Sequence, residues 1–93
     1  MKNFDLVLVG AGEMSTNYID VLKAQSLNFC VICRNSERAN RLRIERKIDV
    51  FDGGIDFFLE KYKDIPNMAI VCVDEDNLYN VTISLVEAGV KKI

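Results

Sequence analysis

The chain alternates short, wholly apolar runs with longer stretches in which apolar residues recur every three or four positions. Leu6-Val7-Leu8-Val9 is apolar at every position and ends at Gly10. Such a run fits a parallel strand buried on both faces. From Glu13 the period changes, and Met14, Tyr18, Val21 and Leu22 form the stripe of a helix. Phe29-Cys30-Val31-Ile32-Cys33 predicts a second strand. Ser36 is the expected cap of a helix running through about Arg43, with Ala39 and Leu42 turned inward. Ile48-Asp49-Val50-Phe51 predicts a weaker third strand, closed by Gly53-Gly54. Ile55, Phe58, Leu59 and Tyr62 then mark a third helix. Met68-Ala69-Ile70-Val71-Cys72-Val73 predicts a fourth strand. Leu78, Val81, Thr82, Leu85 and Val86 line a fourth helix, which Gly89 ends as the residue after the cap. Val90 to Ile93 reads as the start of a fifth strand.

Strict strand–helix alternation, with crossovers of one hand, predicts an α/β doubly wound parallel sheet. Residues 1–93 suit a single small domain, short for a complete dinucleotide-binding enzyme. The expectation is a nucleotide-binding unit incomplete at its C-terminus, with any catalytic and substrate domain outside the chain.

The first strand–helix junction reads Gly10-Ala11-Gly12-Glu13-Met14-Ser15, a G-x-G-x-x-S pattern. A glycine loop that follows a buried strand and opens a helix is the setting of a dinucleotide fingerprint. Gly10 permits the tight turn, and Gly12 leaves room for a pyrophosphate to approach the backbone. Ser15 stands where a small residue lets helix and strand pack closely. The helix N-terminus offers N–H groups and partial positive charge to phosphate. This predicts a Rossmann-type NAD(P)-binding domain, with Gly10, Ala11, Gly12, Glu13 and Met14 at the pyrophosphate. The bland alternative is a glycine turn without a ligand.

In NAD-specific domains an acid ends the second strand, about 20 residues beyond the glycines, and binds the ribose hydroxyls. Here that place reads Cys33-Arg34-Asn35-Ser36, and Arg34 replaces the acid. A guanidinium can pair with the 2′-phosphate of NADP through two N–H bonds. Asn35 and Ser36 add neutral donors, and Arg38 is placed to cover the adenine. NADP(H) is therefore expected over NAD(H). A solvated Arg34 and a purely capping Ser36 are the competing account.

Other features narrow the chemistry. Histidine is absent, which removes Ser-His-Asp and Cys-His catalysis from these residues. No catalytic residue and no metal site are assigned. Cys30 and Cys33 form a C-x-x-C, but positions three apart on a strand face opposite ways. They and Cys72 are read as reduced core cysteines. Asp74 is expected to cap the fourth helix, with acids in its first turn. All five arginines fall between Arg34 and Arg46, interrupted by Glu37 and Glu45. With a net charge of −2, a solvated face accounts for them better than a nucleic-acid site. No run approaches the roughly 18 apolar residues of a membrane span, and the N-terminus has no signal-peptide pattern. A cytoplasmic location is expected.

The glycine loop, the arginine and the last helix together resemble the N-terminal domain of the Gfo/Idh/MocA oxidoreductases. Val7 to Ser15 is similar to the family's opening, with Tyr18 where many members carry histidine. Cys33 to Ala39 is similar to the second-strand end of its NADP-using members. Val86-Glu87-Ala88-Gly89-Val90-Lys91-Lys92-Ile93 resembles the segment leading into the family's Glu-Lys-Pro motif. The resemblance implies hydride transfer between nicotinamide and a sugar, cyclitol or sugar-nucleotide type substrate. It places the catalytic lysine and the substrate surface outside this chain. It also places Val73, Asp74 and Glu75 near the nicotinamide ribose, although the family often has Thr-Pro-Pro or Thr-Pro-Asn there. Leu78 replaces the usual histidine of the following helix.

Two other readings stand beside this one. The chain could be a regulatory nucleotide-sensing module without hydride transfer, although such modules usually keep the acid that Arg34 replaces. It could also bind nothing and pair through an exposed sheet edge into a homodimer.

Overall fold

A computed structural model of the chain describes residues 4–62, 66, 68–73, 75–91 and 93, without the side chains of Glu13, Met14 and Glu75. Its elements alternate as β1 Leu6–Val9, α1 Glu13–Ala24, β2 Phe29–Ile32, α2 Ser36–Arg46, β3 Asp49–Phe51, α3 Gly54–Lys61, β4 Ala69–Val71 and α4 Glu75–Glu87. The four strands form one sheet in the order β3-β2-β1-β4, with every pair parallel. Among the described residues, 90, 91 and 93 form no strand, so the expected fifth strand is not seen.

Helices cover both faces of the sheet. Leu6, Leu8 and Val31 pack against Ile19 and Leu22 of α1 and Ala39 and Leu42 of α2. Val7, Val9 and Ile32 pack against Ile55 and Phe58 of α3 and Val81 and Leu85 of α4. This division follows from topology. β1, β2 and β3 step one way across the sheet, whereas β4 returns to the far side of β1, so crossovers of one hand place α3 on the opposite face. Both faces of the central strands are covered, which is why β1 and β2 are buried at every position.

Cys30 and Cys33 fall in opposite core clusters, so their sulfurs do not meet. Burial, helped by the Asp49 carboxylate, pushes the Cys30 thiol up to about 12. All three cysteines are free. An aromatic group anchors α3. Phe51 of β3 lies 5.2 Å from Phe58 and 5.4 Å from Tyr62, ring centre to ring centre.

Two helices bury only part of the stripes expected of them, Leu22 in α1 and Val81 and Leu85 in α4. Among the described side chains of α1 the buried ones are Ser15, Ile19 and Leu22, while Tyr18 and Val21 are 41% and 53% exposed. The helix is rotated so that small Ser15, not a bulky side chain, meets the sheet beside the glycine loop. In α4 Val81 and Leu85 are buried, and Leu78 and Val86 are exposed. The end of α4 is as expected. Gly89, at φ 98°, donates to the Val86 carbonyl, and Val90 donates to Leu85. That pair of bonds is a Schellman closure, with Val90 folded back onto the core beside Leu85. α2 runs one turn beyond its expected end, to Arg46, and stops at Lys47 in the left-handed conformation.

Candidate functional site

The strand order reverses at β1, where the chain passes from the β2–β3 side to β4 on the other, and in open α/β sheets ligands bind outside the carboxyl ends of the strands at that point. A cleft of about 570 Å³ lies there. Its size falls within the roughly 300–1,000 Å³ of small-molecule sites. Its floor is built from strand ends and glycines.

Gly10 closes β1 at φ 115° and donates to the Ile32 carbonyl at 2.8 Å. A Cβ at this position would collide with the Cys72 carbonyl. Cys72 in turn donates its N–H to Val9 at 2.8 Å, so the β1 and β4 ends are clasped around a residue that has to be glycine. Gly12 is the N-cap of α1, and no side chain caps that helix. A Cβ there would meet only the Arg38 guanidinium, 4.0 Å away. The space over the helix N-terminus is thus kept clear, next to N–H groups that suit an anion.

Ser15 is fully buried, and its Oγ makes no well-formed hydrogen bond among the described residues. Burial pushes the Cys72 thiol up, and the neighbouring Ser15 hydroxyl offsets only part of this.

The second wall comes from the β2–α2 junction. Asn35 is the N-cap of α2, its Oδ1 accepting from the Arg38 N–H at 3.0 Å. The cap is therefore Asn35 rather than Ser36, because an extended Asn35 backbone aims its amide oxygen at the first turn. Arg34, Asn35 and Arg38 all line the cleft. Arg38 donates to the Ala11 carbonyl at 3.1 Å, joining α2 to the glycine loop. The Arg34 stem lies over Gly54, where a Cβ would come within 3.1 Å of its Cγ. Ser36 turns away from the cleft and donates to the Asp52 carboxylate at 2.8 Å. That bond, with a backbone N–H and the nearby Arg43 and Lys61 charges, holds Asp52 below its ordinary range.

Two of the three remaining arginines have other tasks. Arg43 donates through Nε and Nη2 to the Val50 carbonyl at 3.0 and 2.6 Å. Arg46 pairs with Asp20 at 3.3 Å. These two tie α2 to β3 and α1, so part of the basic cluster is structural.

Gly10, Ala11, Gly12, Arg34, Asn35, Arg38 and Val73 are thus brought to one cleft. Glu13, Met14 and Glu75 stand in helices, with side chains outside the described residues, as is the whole of Asp74. Sequence reasoning missed the third wall. Asp56 of α3 and Asn77, Asn80 and Ser84 of α4 also line the cleft. The signal was present as polar residues at i, i+3 and i+7 on α4, the side of an amphipathic helix normally assigned to solvent. Among the described residues, no group of three or more acidic, cysteine or histidine side chains could hold a metal. No described helix is long and apolar enough to cross a membrane. The chain matches no protein-family model, no curated protein and no solved structure.

Proposed function

We propose that this chain is the Rossmann-type cofactor domain of an NAD(P)-dependent oxidoreductase of the Gfo/Idh/MocA kind, with NADP(H) as its preferred dinucleotide. One observation carries the reading. The glycine loop at the N-terminus of α1 and the two cationic side chains Arg34 and Arg38 face the same cleft. The strand order β3-β2-β1-β4 agrees with the first half of the dinucleotide fold, and the cleft sits at its switch point.

The residues present suit the cofactor. The uncapped N-terminus of α1 takes the pyrophosphate. Arg34, held over Gly54 at the end of β2, takes the 2′-phosphate through paired N–H bonds. Asn35 and Ser36 act behind it as the cap of α2 and the partner of Asp52. Val73 and the start of α4 lead toward the nicotinamide end. When bound, the cofactor would exchange a hydride with a sugar-type or polyol substrate.

The test is calorimetric titration of NADPH and NADH into the chain, with Arg34→Ala as the control. A charge-assisted contact of about 1.5–3 kcal/mol corresponds to roughly 10- to 100-fold tighter NADPH binding. That preference should vanish in Arg34→Ala. Equal affinity for the two cofactors in the unmodified chain would remove the NADP assignment, and no binding of either would remove the cofactor reading.

A further inference from the structure

We propose that the outer edge of β4, with the helix sides that flank it on both faces of the sheet, is the docking surface for a second copy of this chain. None of the residues that form this surface lines the cleft, so the contact does not depend on what the cleft binds.

β4 ends the sheet, and among the described residues no strand pairs with its outer edge. Val7 donates its N–H to the Met68 carbonyl, and Cys72 donates to Val9. Met68, Ile70 and Cys72 therefore turn their backbone groups toward β1, and Ala69 and Val71 turn theirs outward. Outward N–H and C=O groups are a template for another strand, and proteins usually protect such an edge with charge or proline. Met68 to Val73 contains neither.

The flanking helices extend the surface. On one face, Asp20 and Lys23 of α1 reach Arg46 of α2. Tyr18, Val21 and Gln25 lie on the opposite side of α1, over β4, and all three are exposed. On the other face, Ser84 of α4 reaches Asp56 of α3. Leu78, Thr82 and Val86 follow one another at i, i+4 and i+8 on the side away from α3, with Leu78 and Val86 exposed. Charged residues make up 28% of the chain, yet none of these six is charged. With Met68 and Tyr79 beside them, they expose several hundred Å² per copy, the scale of the roughly 800 Å² that each partner gives to a standard interface.

Symmetry selects the partner. A two-fold axis through Ile70, normal to the sheet, runs the two β4 strands antiparallel and sets Ala69 opposite Val71 of the second copy. Each such pair exchanges both of its N–H···O=C bonds. The same axis lays each α1 and each α4 beside its counterpart. Thr82, midway along α4, falls closest to the axis, and Leu78 approaches Val86 of the second copy. An isologous contact brings a patch against itself, so any charge near the axis would meet its like. A face without charge meets that requirement, and it offers no charge by which a different partner would be selected.

Sedimentation over a concentration series reads the oligomeric state of the unmodified chain, Thr82→Lys, Thr82→Glu and Ile44→Lys. The unmodified chain should pass from monomer to dimer as its concentration rises. Thr82→Lys and Thr82→Glu each set like charges across the axis and should weaken the dimer at least roughly tenfold. An equimolar mixture of the two should recover it, which also shows that both are folded. Ile44→Lys, on the exposed side of α2, should leave the dimer as it was. Amide exchange at Ala69 and Val71 should slow as the dimer forms. A chain that stays monomeric up to millimolar concentration overturns the proposal. So does a dimer that tolerates both Thr82 substitutions, or one that leaves exchange at Ala69 and Val71 unchanged, because the contact then lies elsewhere.

Discussion

Arg38 of α2 donates to the carbonyl of Ala11 at 3.1 Å, and through this bond the second helix holds the glycine loop of the first. The loop serves any dinucleotide, whether or not it carries a 2′-phosphate. Arg38→Met, which keeps the stem and removes the donor, should therefore weaken NADPH and NADH by similar factors. Arg34→Ala should weaken NADPH alone. Calorimetry on both variants separates the two roles, and an Arg38→Met effect confined to NADPH would contradict the assignment.

Gly10 and Gly89 both hold positive φ, but only Gly10 is crowded. Gly89→Ala meets open space and should cost only the conformational term, on the order of 1 kcal/mol. Gly10→Ala adds a collision with the Cys72 carbonyl, so its cost should exceed the roughly 1–3 kcal/mol of backbone strain alone. Urea denaturation of the two variants compares them. Equal midpoints would show that the β1–β4 clasp is looser than described.

Ser15 sits fully buried, and its hydroxyl makes no well-formed hydrogen bond among the described residues, with only the Cys72 thiol beside it. Ser15→Ala removes that group without opening a sizeable space and improves helix propensity. A gain of about 1 kcal/mol is expected, equivalent to about 4–8 °C in Tm for a domain this size. A lower Tm would mean that the hydroxyl has a partner in solution.

Asp52 is held below its ordinary range chiefly by the Ser36 hydroxyl. A lowered folded pKa stabilises the fold above the unfolded value of 3.8, and that contribution fades as pH falls through the folded pKa. Asp52→Asn should thus flatten the acid limb of a stability–pH curve. It also removes a negative charge beside α2 and loosens Ser36, so NADPH should bind more tightly while NADH changes little. A weaker NADPH complex would assign Asp52 a supporting role instead.

The thiols should separate by access. Cys30 and Cys33 are buried, whereas Cys72 is partly exposed on the cleft. A disulfide reagent should label Cys72 first, and NADPH should slow that labelling. The Cys30 thiol, pushed up to about 12, stays neutral in the fold while the unfolded chain ionises near 9.0. Its contribution to stability is therefore complete below pH 9 and declines as pH climbs toward 12. Cys30→Ala should reduce that alkaline slope in denaturation curves.

Much of this architecture was legible along the chain. The run Leu6 to Val9 is a strand at its expected bounds, and the placement of Cys30 and Cys33 on opposite faces followed from strand geometry alone. The α1 face was read correctly at Leu22 but with Tyr18 and Val21 in place of Ile19, because all of these side chains are large and mainly apolar. Periodicity cannot choose between adjacent stripes when both contain large apolar residues. The cap of α2 was placed one residue late, since Asn35 and Ser36 are both good caps and only the backbone angle at Asn35 decides.

The sequence by itself determined the alternation of elements, the buried strands and the glycine turn at the first junction. These depend on local periodicity and on backbone freedom at single residues. Only the tertiary structure decided which walls share the cleft. Arg34 and Arg38 share the cleft with Asp56, Asn80 and Ser84 because β4 returns to the far side of β1 and places α4 beside α3. That juxtaposition depends on strand order, and strand order is set by packing between segments far apart in the chain.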